Sequence, residues 1–251
     1  MLKDRIQIII LAGGKGKRMQ DEMPKVLMKV KGKPMIKHLL ESVLKSGVCA
    51  KPCIFVSYKK EEVIKELGPA YDYVMHDEQL GTGYAVLCTR QYLEGKSDHV
   101  MVLYGDHPFV SPETIKKLID RHLASFAKIT MATVKLLDFK DWRAFFYTNF
   151  SRIIRNEKGE ILKDVQVKDA SDQEKKISEV NPCYFCFEAK WLWNKLPMLK
   201  NDNAQKEYYL TDLIKMAVQD GVKIESIFIN PHEGLGANSK EELEILERFA
   251  L

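Results

Sequence analysis

The sequence predicts an α/β fold: a mixed, mainly parallel sheet with helices on both faces, carrying a small β-rich insertion over residues 141–188 of a single domain, 1–251. Three observations predict it. β-branched runs alternate with stretches of helical apolar period from residue 6 to residue 136, the mark of successive βαβ units. The helical period then stops, and hairpin and loop signals replace it between 141 and 180. Polar, glycine-containing clusters follow three of the strands, where open α/β sheets bind ligands.

Taken in order, Ile6-Gln7-Ile8-Ile9-Ile10 reads as a buried strand. Residues 34–46 follow as a helix, with Met35, Ile36, Leu39, Leu40, Val43 and Leu44 at helical spacing, Pro34 at the start and Gly47 past the end. Strands are expected at 54–56, 73–75, 99–104 and 129–136, and helices at 60–67, 83–93 and 112–123. The run 151–155, the turn Asn156-Glu157-Lys158-Gly159 and residues 160–162 read as a hairpin. Residues 169–176 are a polar loop, and 183–187 returns to a strand. A helix at 209–219 buries Leu210, Leu213, Ile214, Ala217 and Val218 on one face, with Gly221 after it. A strand at 224–229 and a helix at 240–251 close the chain. An insertion of this kind forms a wall over the ligand cleft. No internal repeat or long linker interrupts the pattern.

Composition narrows the function. At 251 residues, 45% apolar and 29% charged, the chain has the profile of a soluble globular protein. A net charge of +4, dispersed among many charges of both signs, suits a small anionic substrate and argues against nucleic acid. The longest apolar run, 8–12, is far too short to span a bilayer, and no small-residue cleavage site follows it, so a cytoplasmic protein without membrane contact is expected. The five cysteines are scattered and read as buried free thiols, with no second pair to complete a zinc site around Cys183 and Cys186.

The chemistry gathers at strand ends. After the first strand comes LAGGKGKRM, where Gly13, Gly14 and Gly16 alternate with Lys15, Lys17 and Arg18. Glycines leave backbone N–H groups uncovered, and uncovered N–H groups beside cations suit a polyphosphate. Pro24 holds the backbone just before Lys25. The loop is neither a P-loop nor a dinucleotide-binding fingerprint. The second cluster is Gln79-Leu80-Gly81-Thr82-Gly83. The third is Gly105-Asp106, whose carboxylate faces the cationic loop and is placed to hold Mg²⁺ against a polyphosphate. His107 is expected to pack or bond the backbone. Glycosyltransferases carry Asp-x-Asp at such a position; here Pro108 replaces the second acid.

These segments carry a resemblance. LAGGKGKRM with PKVL, EQLGTGYAV, LYGDHPFV, VKDA and NAQKEYYLTDLI stand in the order and spacing of the sugar-1-phosphate nucleotidyltransferases. The chain resembles most the uridylyltransferase domain of bacterial N-acetylglucosamine-1-phosphate uridylyltransferases. The resemblance implies a Rossmann-like fold of the nucleotide-diphospho-sugar transferase type, and Mg²⁺ as cofactor. It implies a nucleoside triphosphate and a sugar-1-phosphate as partners, and no counterpart of the β-helix domain that acetylates in the family. Since that domain builds the family's trimer, the oligomeric state stays open.

Roles follow residue by residue. Arg18 and Lys25 would neutralise charge at the reacting phosphates. Leu11, Ala12, Gly13, Gly14 and Lys15 would hold the nucleotide, with His76, Gln79, Gly81 and Thr82 around its base and sugar. Tyr104, Asn149, Gln166 and Asn181 would line the sugar side. Asp106 and Asn238 would hold the metal, although Asn238 also reads as an N-cap of the last helix. The departures fall on the base and the sugar. His76 stands where the family has Gln, which leaves UTP, CTP and dTTP open. Asn149 replaces a glycine, Gln166 a glutamate, and Pro182-Cys183 a Thr-Gly. The expectation is a pyrophosphorylase making a nucleotide-sugar from UTP and N-acetylglucosamine-1-phosphate. The alternatives are the same chemistry on another phosphate ester or base, and a nucleotide-sugar-binding protein without turnover.

Overall fold

A computed structural model describes residues 5–16 and 23–250. Its centre is β1 (Ile6–Leu11), which pairs in parallel with β4 (Cys53–Val56) on one side and β6 (His99–Tyr104) on the other. β5 (Asp72–Met75) adds in parallel to β4. Beyond β6 the sheet changes character. β11 (Phe185–Glu188) inserts antiparallel between β6 and β7 (Ile129–Lys135). β12 (Ile224–Phe228) runs parallel to β7. The far end of β7 pairs with β10 (Glu179–Asn181), and β8 (Ser151–Arg155) and β9 (Ile161–Val165) continue outward from it, all antiparallel. A two-stranded ribbon, β2 (Lys29–Val30) and β3 (Lys33–Pro34), turns at Lys31 and Gly32, both at positive φ.

Alternation along β1 explains the layers. Ile8 and Ile10 face one side and pack with Met35, Ile36, Leu39 and Leu40 of α1 (Met35–Ser46), Val63 of α2 (Lys60–Leu67) and Ile115 and Leu118 of α5 (Pro112–Ser125). Leu246 of α9 (Lys240–Phe249) joins that side. Ile9 and Leu11 face the other and pack with Ala85 and Val86 of α3 (Thr82–Cys88) and Leu93 of α4 (Arg90–Leu93). Leu192 of α7 (Ala189–Lys195) and Leu213 and Ile214 of α8 (Asp212–Gln219) complete that layer. Each such side chain contributes about 1.5–3 kcal/mol on burial, so register and layer are strongly set. Among the described residues no helix is long and apolar enough to cross a membrane.

Most expected elements form, and the departures have local causes. The helix expected over 83–93 is two pieces, because at buried Thr89 both the hydroxyl (2.7 Å) and the backbone N–H (3.0 Å) donate to the carbonyl of Val86, tightening the turn there. Residues 141–180 hold a helix the sequence did not predict, α6 (Ala144–Asn149), after a short 3₁₀ turn. Its end is held from outside: the guanidinium of fully buried Arg152 donates to the carbonyls of Phe146 (3.4 Å), Tyr147 (2.8 Å), Phe150 and Lys175 (3.1 Å). The strand expected at 183 begins at Phe185, since Cys183 sits at φ 66°.

Candidate functional site

The carboxyl ends of β1, β4 and β6 open into one cleft of about 770 Å³. Leu11, Gly13, Gly14, Lys15, Gly16 and Lys25 line it on the loop side, Gln79, Gly81 and Thr82 on a second side, and Tyr104 and Asp106 on the floor. Thr148, Asn149, Gln166, Val167 and Lys168 form the insertion-side wall, and Asn238 closes the ring.

In the loop after β1, Gly13 is required for space. A Cβ on Gly13 would stand 2.7 Å from the Phe55 ring and 3.0 Å from Ser57 Cβ. The neighbouring strand is therefore close enough for Ala12 N–H to donate to the carbonyl of Phe55 (2.8 Å). Arg18 lies outside the described residues. Gln79 reaches across and donates to the carbonyl of Gly13 (2.8 Å), joining the second cluster to the first.

Gly81 is held at φ 109°, where a Cβ would meet the backbone oxygen and nitrogen of Tyr208 at 2.7 and 2.8 Å. That closeness reflects pairing. Tyr208 N–H donates to the carbonyl of Leu80 (2.8 Å), Gly83 N–H to the carbonyl of Tyr208 (2.8 Å), and Leu210 N–H to the Thr82 hydroxyl (3.1 Å). Asn203 folds the segment that does this: its Oδ1 accepts from the backbone of Gln205 and Glu207, both at 3.2 Å, and its Nδ2 donates to the carbonyl of Glu207 (2.5 Å). The segment Asn203-Ala204-Gln205 through Asp212 is thus a clamp on the Gly81–Gly83 loop, a role its spacing alone does not disclose.

The charged centre is compact. Lys25 Nζ forms an ion pair with the Asp106 carboxylate and donates to Asn238 Oδ1 (2.8 Å). Burial pushes the Asp106 carboxyl up, but Lys25 and His107 pull it down by more, so it stays ionised well below neutral pH. Burial lowers the His107 pKa, with the Lys25 charge acting the same way and the Asp106 charge opposing. His107 is within hydrogen-bond reach of the Tyr184 hydroxyl (2.8 Å), which donates to the carbonyl of Glu233 (2.6 Å). Gly236 leaves room for it: a Cβ there would stand 2.5 Å from His107 Cδ2. His107 thus packs the 236–238 loop against Asp106, as the sequence suggests.

Asp106 and Asn238 offer hard oxygen donors that already converge on one cation, the Lys25 ammonium. Among the described residues no cluster of three or more His, Cys, Asp or Glu could hold a metal. Mg²⁺ needs none, since it keeps several waters and is held by one or two protein oxygens plus substrate phosphates. The donor pair fits that ion.

Three expected site residues stand back from the cleft: Ala12, His76 and Asn181. Ala12 is buried, its N–H is given to the carbonyl of Phe55, and it does not line the cleft. His76 Nε2 is 3.1 Å from the Tyr84 hydroxyl, which donates to Glu78 (2.9 Å); Glu78 lines the cleft and His76 does not. Asn181 is fully buried behind the wall, donating to Asp164 Oδ2 (2.6 Å) and accepting from Cys183 N–H (2.7 Å). Burial pushes the Asp164 carboxyl up to about 7, with the Asp212 charge acting in the same direction. Gln166 remains on the wall, its Nε2 donating to Thr211 Oγ1 (3.0 Å). Sequence reasoning misses Glu78, Lys168, Gln205 and Glu207 on the lining. These come from loops inside the segments EQLGTGYAV, VKDA and NAQKEYYLTDLI, which carry the resemblance without giving each of their residues a place on the lining.

Residues 8–206 match the family profile of the MobA-like NTP transferase domain. The chain is 39% identical over 241 residues to the bifunctional protein GlmU of Clostridium botulinum (strain ATCC 19397 / Type A), covering 95% of this chain and 50% of that protein. It is 40% identical over 242 residues to the bifunctional protein GlmU of Clostridium novyi (strain NT), covering 96% and 51%. The chain spans about half the length of the curated relatives it matches. A solved structure from Bacillus anthracis, named as a glucose-1-phosphate thymidylyltransferase and containing a sucrose, superposes with a TM-score of 0.74 at 18% identity, over 98% of this chain and 95% of that one. The shared architecture is the nucleotide-diphospho-sugar transferase fold.

Proposed function

The chain belongs to the family of MobA-like NTP transferase domains, and on that premise we propose that it is a sugar-1-phosphate nucleotidyltransferase, joining UTP and N-acetylglucosamine-1-phosphate into a nucleotide-sugar with release of pyrophosphate. In this reading residues 1–251 act as one unit, with 141–188 as the wall on the phosphate-ester side. The observation that carries it is the meeting of Lys25, Asp106 and Asn238 beside the Gly13–Gly16 loop in one cleft. The similarity to GlmU proteins supports the choice of substrates.

The reaction forms a bond from an ester phosphate oxygen to the α-phosphorus of the triphosphate and breaks the bond to pyrophosphate. A phosphate monoester has its second pKa near ~6 and is largely a dianion at neutral pH, so no general base is required. What the protein supplies is alignment and charge neutralisation. The uncovered N–H groups of the glycine loop cradle phosphate oxygens, with Lys15 supplying positive charge on the lining; the family resemblance adds the charge of Arg18. Lys25 moves its ammonium from the Asp106–Asn238 pair onto phosphate oxygens as charge develops there. Mg²⁺, held by Asp106 and Asn238, supplies Lewis-acid neutralisation of the phosphates when bound. Tyr104, Asn149 and Gln166 orient the ester.

The test is pyrophosphate release with Mg²⁺ and N-acetylglucosamine-1-phosphate, offering UTP, CTP, dTTP, ATP and GTP separately. Release with UTP is the expected result. Release only with another base or another phosphate ester would keep the chemistry and change the substrate, which the side chains of Asn149 and Gln166 in the wall would explain. Silence across all nucleotides and a panel of esters would overturn the proposal.

A further inference from the structure

Thr211 stands where a helix cap is expected and does not act as one. It is the N-cap residue of α8, yet among the described residues its hydroxyl takes no bond from the first turn of that helix. The side chain is buried, and its Oγ1 instead accepts from Gln166 Nε2 (3.0 Å), on the insertion wall. Gln166 lines the cleft and Thr211 does not. The residues just before Thr211 serve the opposite side. Tyr208 N–H donates to the carbonyl of Leu80, the Tyr208 carbonyl accepts from Gly83 N–H, and Leu210 N–H meets the Thr82 hydroxyl. One short run therefore reaches both sides of the cleft. Residues 208 and 210 hold the nucleotide loop through their backbone, and 211 holds the wall through its side chain.

The Thr211 bond decides what Gln166 shows a ligand. A glutamine amide can present either its oxygen, an acceptor, or its nitrogen, a donor. With Nε2 given to Thr211, Oε1 is the end left to the cleft, and no described residue donates to it. A glutamate, which the resemblance puts at this position, faces no such choice, because both of its oxygens accept. The change to glutamine therefore makes the wall depend on Thr211. We propose that Thr211 is a positioning residue that turns the Gln166 amide oxygen toward the phosphate ester, selecting an ester with an O–H or N–H donor at that point of the wall. The inference rests on the nucleotidyl-transfer reading of the cleft. It adds a residue and a specificity which that reading does not contain.

The experiment compares the wild type with Thr211→Val, Thr211→Ser, Gln166→Glu and the double variant Gln166→Glu/Thr211→Val. Valine keeps the shape of threonine and removes the hydroxyl; serine keeps the hydroxyl. The protein is first saturated with Mg²⁺ and α,β-imido-UTP, which cannot release pyrophosphate. N-acetylglucosamine-1-phosphate is then titrated in by calorimetry. Thr211→Val is expected to weaken ester binding about tenfold, the scale of misplacing one polar contact, and Thr211→Ser to restore it to within about twofold. The affinity for α,β-imido-UTP itself stays within about twofold in Thr211→Val, since the backbone of 208 and 210 holds the nucleotide loop. A merely structural loss would move both affinities together. Against Gln166→Glu as the reference, adding Thr211→Val costs no more than about twofold, because either carboxylate oxygen accepts. Unchanged ester affinity in Thr211→Val overturns the inference, and so does a parallel loss of nucleotide affinity. Failure of serine to restore binding, or an undiminished loss in the double variant, also overturns it. So does a wild type that binds no ester. A wild type that binds both ligands but releases no pyrophosphate from UTP sinks the proposed reaction instead, and the ester titrations still decide the role of Thr211.

Discussion

On the loop side of the cleft, β1, β4 and β6 run parallel and bring Gly13, Ser57 and Asp106 to one edge of the sheet just past their last residues. On the insertion side, β8, β9 and β10 run antiparallel, and polar groups buried beneath them set their shape. Arg152 gathers four carbonyls, Asn181 is tied to Asp164, and Arg155 grips the Glu179 carboxylate (2.6 Å). The first side is built by a rule that holds for any parallel sheet, strand end followed by ligand loop. The second is built by individual side-chain bonds, some to carbonyls within six residues and others spanning 17 to 24 residues. Chemistry common to a family can sit on the first. The part that distinguishes one phosphate ester from another can vary on the second without disturbing it.

The largest effect should come from the parallel side. Asp106→Ala removes the carboxylate that Lys25 pairs with and that would hold Mg²⁺. Turnover should fall by roughly 100- to 1,000-fold, the scale of losing one electrostatic contact in a dry site, with the circular dichroism spectrum unchanged. More than a tenth of the wild-type rate would show that the centre does not depend on it, and the comparison would lose its first term. Gly81→Ala comes next. The new Cβ would press on the Tyr208 backbone at 2.7 Å and strain a φ of 109°, together costing about 2–3 kcal/mol. The melting temperature should fall and nucleotide binding, read by calorimetry, should weaken with it. A variant as stable as the wild type would mean that the 203–212 segment does not clamp the loop.

The same division separates what the sequence discloses by itself from what only folding reveals. β1, α1, β4, β6 and α5 are legible, because apolar period and capping residues such as Ser111, whose hydroxyl accepts from Thr114 N–H (3.1 Å), are local signals. Gly13, Lys25 and Asp106 are legible by position after a strand. α6 is not, since its end depends on Arg152 folding back from the following strand. The role of Thr211 is not, because its partner Gln166 lies 45 residues away. Asn181 is legible as a polar residue near the site, yet burial turns it to Asp164. His76 is expected at the base and stands one layer out, bonded to Tyr84.

Asp164 tests the insertion side through pH. Its ordinary value is 3.8 and the folded protein holds it at about 7. Between those values the folded state keeps a proton that the unfolded chain has released. Stability therefore falls as pH rises through that window and is lowest above it. Asp164→Asn keeps an acceptor for Asn181 and has no proton to lose. It should gain about 2 kcal/mol at pH 8, less than the full shift because the residue is only partly buried, and close to nothing at pH 4. Thermal melts at the two pH values check this. An equal change at both would mean that the carboxyl is not held neutral in the fold.

Lys25→Met separates the two tasks of one side chain, and its effect on binding is the smallest of the set. Turnover should be lost, as for Asp106→Ala. Metal affinity should move the other way. In the free protein the ammonium pairs with Asp106 and bonds Asn238, so a divalent ion entering there displaces a cation already in place. Methionine keeps the length of the chain and removes that competitor. Mn²⁺ should then bind about tenfold more tightly in the absence of nucleotide, equivalent to ~1.4 kcal/mol. A nucleotide that draws Lys25 onto its phosphates relieves the same competition in the wild type. The difference between wild type and Lys25→Met should therefore shrink when UTP is present. If Lys25→Met binds Mn²⁺ more weakly than the wild type, Lys25 organises the two oxygens rather than competing for them, and the parallel side would rely on side-chain networks as the insertion side does.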